Sequence, residues 1–150
     1  MGIEVRRATI DDVPVTALLF NAYRMFYGQH SNLKEAETFL KQRLQNNESV
    51  IFIAMAGDKA VGFTQLYPIF SSLGLKRAWL LNDLFVTEQS RGKGAATALL
   101  NAAKEHGRQT NSSWLTLQTA VNNITAQKVY ESNGWKKEND YNVYNFRITE

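Results

Sequence analysis

The chain has 150 residues, 44% of them hydrophobic, and its 17 lysines and arginines against 14 acidic residues give a net charge of +3. This size fits one ordinary domain with a real core, and the mild charge excess falls short of the dense basic tracts that indicate nucleic-acid binding. The lack of cysteine excludes disulfides, thiolate metal ligands and a cysteine nucleophile, and it favours a reducing compartment such as the cytoplasm.

The sequence predicts a single domain over residues 1–150, because no linker, repeat or low-complexity segment divides it. Its first residues carry charge and lack the apolar region of a signal peptide. No run approaches the roughly 20 apolar residues that a membrane span needs. We therefore expect no membrane partner, no nucleic-acid partner and no metal site.

The N-terminal half predicts a strand, two helices and two further strands. Thr9 lies three residues before an acid, which is a helix N-cap pattern, and Gly28 is expected to end that helix. The turn residues Gly57-Asp58-Lys59 separate two β-rich runs and so predict a hairpin. The predicted elements are a strand over residues 3–7, a helix between Thr9 and Gly28, a helix over 33–46, and strands over 49–56 and 60–70.

The C-terminal half predicts a long strand, two helices and two more strands. Gly107 is expected to stop the first of these helices, whereas Asn122-Asn123 caps the second and Asn133-Gly134 closes it. Meandering strands followed by β-α-β-α order favour an α/β domain with a mixed sheet. The elements are a strand over 77–87, a helix to His106, a strand over 114–120, a second helix after Asn123, and a terminal strand over 141–148, whose edge would pair with a second copy in a homodimer.

Two glycines and two cations occupy residues 91–94, between a predicted strand and a predicted helix. Glycines let the backbone approach an anion closely, and a helix N-terminus adds unpaired N–H groups, so the turn suits a phosphate or pyrophosphate. A Walker A loop fails because Ala95 follows Gly94, and a dinucleotide fingerprint lacks its third glycine. On these residues alone, a turn without a ligand is the alternative.

Asn82 and Asp83 are adjacent polar residues within an otherwise apolar strand. Adjacent residues on a strand face opposite sides, so at least one of the two should point into packed structure or a cleft. Burial raises the pKa of a carboxylate, which suits Asp83 as a general base. The alternative is an aspartate that only accepts structural hydrogen bonds.

Tyr130 follows Asn123 by seven residues, which places both on one helical face. A phenol, whose pKa is ordinarily about 10, can protonate a departing thiolate, whose parent thiol titrates near about 8.5. The alternative is a tyrosine that packs in the core of an amphipathic helix.

Together these residues resemble the GNAT superfamily of acetyl-CoA-dependent N-acetyltransferases, and the resemblance covers nearly the whole chain in element order. The family's cofactor motif, Q/R-x-x-G-x-G/A, is matched by residues 89–94. A later family pattern, N-x-x-A…Y…G-[FW], is matched by Asn123, Ala126, Tyr130, Gly134 and Trp135.

The resemblance implies a mixed, mostly antiparallel central sheet flanked by helices. Two parallel strands, ending at Val86 and Ala120, would splay apart at the site of coenzyme A. Tyr130 would protonate the coenzyme A thiolate. The implied cofactor-binding residues are Leu84, Phe85 and Val86 through their backbone, Gln89, Arg91, Gly92, Lys93, Gly94, Ala95 and Ala96 around the pyrophosphate, and Asn123, Ala126 and Tyr130 on the pantetheine side.

On the acceptor side, the resemblance implies that aromatic residues from two segments of the chain border the cleft that binds the amine. Their alternative role is core packing or a dimer contact. The proton that the amine must lose would pass to Asp83, to ordered water, or to His30 in a nearby loop. The aromatic residues are Tyr23, Phe26 and Tyr27 on the first helix, and Tyr67 and Phe70 on the third strand.

The expected function is transfer of an acetyl group from acetyl-CoA to a primary amine of a small, amino-acid-like or polyamine-like molecule. One alternative is an enzyme that acetylates a lysine or the N-terminus of a protein or peptide. Another is an acyl-CoA-binding module without catalysis. The sequence does not distinguish the acceptor or the length of the acyl chain.

Overall fold

The structure is a computed structural model that describes residues 2–149. Within these residues the chain forms five β-strands and four α-helices, with short 3₁₀ turns at Ile10–Asp12 and Glu88–Ser90. The strands are β1 (Ile3–Arg7), β2 (Val50–Ala56), β3 (Lys59–Ser71), β4 (Lys76–Val86) and β5 (Leu115–Thr116), and the helices are α1 (Val13–Phe26), α2 (Leu33–Gln45), α3 (Ala95–Gln109) and α4 (Ile124–Ser132). None of the helices in the described part is long and apolar enough to cross a membrane.

The five strands form one sheet in the order β1-β2-β3-β4-β5. Every neighbouring pair is antiparallel except β4 and β5, which run parallel. The predicted mixed, mostly antiparallel sheet flanked by helices is therefore confirmed. The ladder between β4 and β5 pairs Trp79 with Leu115 and Leu80 with Thr116, and β4 continues beyond it to Val86.

Helices cover both faces of the sheet, and the alternation of side chains along the strands decides which face each residue joins. On one face, Ile51 and Ile53 of β2 pack with Phe20 of α1 and Leu40 of α2. On the other face, Ala54 packs against α3 in a second cluster. The sheet is thus a rigid layer between two cores, and the β4–α3 connection lies at its edge.

The chain divides into two compact units at the boundary between Gln118 and Thr119. The second unit contains α4, whose predicted cap is confirmed because the Asn123 side chain accepts the Ala126 N–H at 3.1 Å. The predicted end of α4 is also confirmed, since Gly134 has a φ of 89° and Trp135 N–H donates to the Tyr130 carbonyl at 3.1 Å.

The predicted helix stop at Gly107 is wrong, because α3 continues to Gln109. A Cβ atom on Gly107 would lie only 2.6 Å from Cδ1 of Leu115. The glycine is required by the close packing of α3 against β5, and its sequence signal was therefore misread as a helix end. The strand predicted over 114–120 is likewise shorter, with only Leu115–Thr116 in the ladder.

The terminal strand predicted over 141–148 is not formed. Its large apolar side chains are exposed, from 69% at Val143 to 89% at Tyr144 and Phe146. A strand needs the backbone of a partner strand for its hydrogen bonds, and the described residues of the second unit contain no other strand. The homodimer that this strand was expected to support stays a prediction.

His106 is a buried histidine on α3, only 7% exposed. Its ring meets Trp79 edge-on at 4.7 Å between centroids, and Nε2 has no hydrogen-bond partner among the described residues. Burial lowers the pKa of His106, and the positive charges of Arg7 and Arg77 lower it further. The folded state therefore favours a neutral imidazole.

We expect the free energy of unfolding to fall as the pH drops below about 6.5, the ordinary histidine pKa, because the unfolded chain then binds a proton that folded His106 resists. The loss ends once the pH passes the lowered pKa of the folded state. Relative to wild type, His106→Phe should gain stability only below about 6.5, as measured by urea unfolding between pH 8 and pH 5. His30→Phe, in an exposed loop, is the control, and a pH-independent difference for His106→Phe would contradict the assignment.

Candidate active site

The turn between β4 and α3 is built by two glycines with left-handed backbones. Gly92 has a φ of 77°, and Gly94, the N-cap of α3, has a φ of 89°. Side-chain-bearing residues rarely adopt this conformation. No heavy atom lies within 4 Å of where a Cβ would stand on either residue. The glycines are thus required by the backbone path, and the space beside them is open to a ligand.

The same turn presents a row of unused hydrogen-bond donors. Among the residues that the structure describes, no acceptor binds the backbone N–H groups of residues 92–96, and the first bond of α3 runs from Ala98 N–H to the Gly94 carbonyl at 3.0 Å. Lys93 is exposed beside them. Free amides at a positive helix end, next to a cation, form a binding site for a phosphate-like anion.

Arg91 is held in place at the start of this turn. Its Nε donates to the Val86 carbonyl at 3.1 Å, and its guanidinium lies 5.1 Å from the centroid of the Phe26 ring. Arg91 therefore connects the end of β4 with the end of α1. Arg91 is thus an anchored cation.

The last residues of β4 have one open edge. Thr87 N–H donates to the Val61 carbonyl of β3 at 2.8 Å. Because backbone groups alternate along an antiparallel strand, those of Phe85 also face β3, whereas those of Leu84 and Val86 face away from it. Within residues 2–118, no strand pairs with this second edge beyond Leu80. The edge can therefore accept an extended ligand at Leu84 and at the Val86 N–H.

A one-residue bulge in β4 sets the orientation of Asn82 and Asp83. Gln65 pairs with Asp83, but its neighbour Leu66 pairs with Leu81, so Asn82 is the extra residue. Both Asn82 and Asp83 consequently line the same cleft. The expectation that at least one of them would reach a cleft is confirmed, although the rule of opposite faces fails because it assumes an unbroken pleat.

Asp83 is only 4% exposed, and three polar side chains surround its carboxylate. Gln65 Nε2 donates to Oδ2 at 2.8 Å, and Asn82 Nδ2 donates to Oδ1 at 3.0 Å. The Tyr23 hydroxyl also faces this carboxylate. Burial raises the pKa of Asp83, and the interactions with Gln65, Tyr23 and Asn82 oppose the rise. The group is therefore a buried, oriented carboxylate with an increased tendency to take a proton.

Asp83 lies in a cleft of about 430 Å³ between α1, α2, β3 and β4. Tyr23 and Tyr67, two of the aromatic residues expected at the acceptor site, line it. Burial and the nearby Asp83 charge raise the pKa of Tyr67 to about 12 and raise that of Tyr23 still more strongly. Both phenols therefore stay protonated at neutral pH.

The other three aromatic residues predicted for the acceptor site do not line this cleft. Phe26 and Tyr27 are each 61% exposed at the end of α1, where Phe26 contacts Arg91 and the Tyr27 ring packs at 5.1 Å from that of Tyr23. Phe70 is 70% exposed and pairs with Arg77 near the β3–β4 turn, five residues along the strand from Gln65. Phe70 therefore lies apart from the cleft that holds Asp83, because β3 extends too far for all of its aromatics to line one cleft.

Sequence reasoning missed several residues of the cleft. Gln65, which holds Asp83, is fully buried, and it was detectable as a polar residue inside an apolar strand. The charged lining residues on α1 and α2 had no such signal, since exposed helix faces are usually charged. The missed lining residues are Phe20, Arg24, Glu35, Ala36 and Phe39.

The remaining predicted site residues lie in the turn before α3 and on α4. Gln89 is exposed within the 3₁₀ turn that precedes the glycines. Asn123 and Ala126 are joined as the cap of α4, and Tyr130 is half-buried on the same helix. These last three belong to the second unit.

Known proteins share this sequence and fold over most of their length. The acetyltransferase (GNAT) family matches residues 16–135. The uncharacterized N-acetyltransferase YhfO of Bacillus subtilis is 48% identical over 142 residues, covering 95% of each chain, and a probable acetyltransferase of Haemophilus influenzae is 39% identical over 126 residues, covering 83% of this chain and 84% of its own. A crystal structure described as a probable acetyltransferase superimposes with a TM-score of 0.93 at 41% identity, covering 98% of this chain and 99% of its own. This chain belongs to the GNAT acetyltransferase family, and it is an acyltransferase.

Proposed function

We propose that residues 1–150 act as one domain that transfers an acetyl group from acetyl-CoA to a primary amine of a small molecule. The observation that carries the proposal is the buried Asp83 carboxylate, which lies in a cleft on the same strand that leads to the amide-lined turn. Acetyl-CoA would supply the acetyl group as a thioester, which an amine can attack without an enzyme nucleophile. The absence of cysteine is therefore no obstacle.

The residues present fit coenzyme A. The free N–H groups of residues 92–96, with Lys93 beside them, would hold the pyrophosphate. The open edge at Leu84 and Val86 matches the amide-containing pantetheine arm, whereas Phe85 is turned toward β3. Gln89, Asn123 and Ala126 join this site by their match to the family motifs. Arg91 stands at a variable position of the first motif and would act by fixing the turn.

Proton movement is the chemistry that the side chains would provide. An alkylammonium titrates near about 10, so the amine must lose a proton before its nitrogen can attack. Asp83 would take that proton at its carboxylate, directly or through water, held in orientation by Gln65, Asn82 and Tyr23. Tyr130, assigned by its motif, would return one proton to the departing sulfur. A C–N bond replaces the C–S bond. The ammonium gives up two protons in all: Asp83 takes one before the attack, and the second, lost from nitrogen as the amide forms, would restore the Tyr130 phenol through water. The net reaction releases one proton, which leaves from Asp83 to solvent.

A small acceptor is favoured because the cleft is a concave space of about 430 Å³ walled by aromatic rings. A peptide acceptor would present its backbone to the mouth of the cleft as well. Thiol release measured with small amines, amino acids and lysine-containing peptides separates the two acceptor classes. Turnover confined to peptides would refute the small-molecule proposal, and coenzyme A binding without any turnover would favour a binding module.

Gly92→Glu should weaken coenzyme A binding at least about 100-fold, because an anionic side chain would occupy the proposed pyrophosphate position. Gly28→Glu is the matched control, since Gly28 also has a left-handed backbone, with a φ of 87°, and an open Cβ position. Both variants should lose similar stability, roughly 1–2 kcal/mol, from the strained backbone. Calorimetry measures binding and thermal melting measures stability. Equal affinities in the two variants would refute the assignment.

Asp83→Asn should lower kcat/KM by roughly 10²–10⁴-fold, which is the usual range for loss of a general base. In the wild type, kcat/KM should rise with pH as Asp83 ionises. Because burial raises the pKa of Asp83, the midpoint of this acidic limb of the pH profile should lie above the ordinary aspartate pKa. The variant should lose that limb and keep the rise that comes from the amine. Asp58→Asn, in the β2–β3 turn, is the control for the loss of one negative charge. If Asp83→Asn keeps the acidic limb of the pH profile, another group removes the proton.

Tyr130→Phe should lower kcat by about 100-fold or more while the affinity for coenzyme A stays within about threefold, since only the proton donated to sulfur is lost. Tyr144→Phe, whose side chain is 89% exposed, is the control in the same unit. Stopped-flow turnover and calorimetric titration give the two quantities. An unchanged kcat would exclude Tyr130 as the proton donor.

A further inference from the structure

The acceptor cleft carries separate charges of both signs that the proposed reaction does not use. Arg24 of α1 and Glu35 of α2 line the cleft together with Asp83. Neither forms an ion pair with any residue between 2 and 149. Arg43, a nearby cation, is already engaged, since its Nε binds Glu48 at 3.1 Å and its guanidinium lies 4.5 Å from the Phe39 ring centroid. The cleft therefore offers one unpaired guanidinium and one unpaired carboxylate to a ligand.

An apolar wall completes the cleft in which Asp83 lies. The Phe20 and Phe39 rings stack at 5.7 Å between centroids, and Tyr23 stacks on Phe20 at 6.3 Å. Asp83 is nearly inaccessible, at 4% exposure, whereas Glu35 is exposed. A ligand that reaches Asp83 must therefore be slender and apolar along its length, and its charged groups must stay near the accessible Glu35.

We propose that the acceptor is an α,ω-diamino carboxylic acid, such as lysine or ornithine, which is acetylated on its side-chain amine. Its α-carboxylate pairs with Arg24 and its α-ammonium with Glu35. Its methylene chain lies on the aromatic wall and carries the second amine to Asp83. This inference rests on the proposed function: the side-chain nitrogen forms a C–N bond with the acetyl carbon, the C–S bond breaks, and the amine proton passes to Asp83.

Simpler amines match the cleft less completely. A monoamine leaves both Arg24 and Glu35 without partners, and a linear diamine leaves Arg24 without one. A lysine inside a peptide has neither a free α-carboxylate nor a free α-ammonium. Because a charged group that is covered by a ligand but left unpaired loses its water without compensation, each mismatch reduces binding.

Four amines of equal chain length isolate these contacts. Lysine carries both α groups, 6-aminohexanoate lacks the α-ammonium, cadaverine lacks the carboxylate, and pentylamine lacks both. Removal of each group should lower kcat/KM roughly 10- to 100-fold, as expected for a lost charged hydrogen bond. Mass spectrometry and NMR should place the acetyl group on the side-chain nitrogen. Acetylation at the α-nitrogen, equal rates for the four amines, or a faster reaction with a lysine-containing peptide would overturn the inference.

Two substitutions test whether Arg24 binds the α-carboxylate of the acceptor and Glu35 its α-ammonium. Arg24→Gln should lower the ratio of kcat/KM for lysine over cadaverine by about tenfold or more, and Glu35→Gln should do the same for lysine over 6-aminohexanoate. Lys34→Gln and Glu37→Gln remove one positive and one negative charge and are the controls for Arg24→Gln and Glu35→Gln, respectively. Both control residues lie on α2 outside the cleft lining, and both substitutions should leave the two ratios unchanged. Equal reduction for all four amines would mean that Arg24 and Glu35 do not read the acceptor.

A binding measurement separates failure of this inference from failure of the proposed function. Calorimetry with lysine and no acyl donor should show binding that weakens in Arg24→Gln and Glu35→Gln. If no amine is ever acetylated but this pattern is found, the acceptor assignment holds and the proposed function fails. If amines are acetylated but lysine binding is absent or insensitive to both substitutions, the inference fails and the proposed function stands.

Discussion

The pairing of Gln65 with Asp83 across a one-residue bulge is the interaction on which the candidate site depends. The bulge places Asn82 and Asp83 in the same cleft, and the Gln65 amide holds the buried carboxylate at 2.8 Å. Gln65 is itself fully buried, so its amide has little freedom to turn away. A buried carboxylate is costly unless donors surround it, and here the donors come from two neighbouring strands, β3 and β4. The sheet thus holds a base that an isolated strand would not.

One strand and the turn that follows it carry the buried carboxylate, the open backbone edge and the proposed anion site. Along β4, the bulge is followed by an open backbone edge at Leu84 and Val86, and then by the turn with its unpaired amides. Because a paired strand is stiff, the spacing between the base, the edge and the anion site is set by the covalent chain. Arg91 adds a connection between this turn and α1 through Val86 and Phe26. Arg91 therefore helps to hold both the proposed donor side, at the end of β4, and the helix α1 that lines the cleft.

The two helices that cover this face of the sheet supply the acceptor side. They contribute the apolar wall that excludes water from Asp83 and the two unpaired charges, Arg24 and Glu35. Aromatic walls favour a methylene chain, and unpaired charges of opposite sign favour a ligand that carries both charges. In the proposed function, α1 and α2 would determine the acceptor specificity, whereas β4 would supply the base.

The amino-acid sequence by itself determined the order of the elements from β1 to α4, the glycine-rich turn, the Asn123 cap and the polar pair in β4, because these depend on local patterns. It did not determine the bulge, since register is set by the partner strand, and so it predicted opposite faces for Asn82 and Asp83. It misread Gly107, whose cause is Leu115, a residue on another element. Only the tertiary structure decided that Arg24, Glu35 and Gln65 belong with Asp83 and that Phe70 does not, because side chains from distant segments meet only after the sheet and its helices have packed.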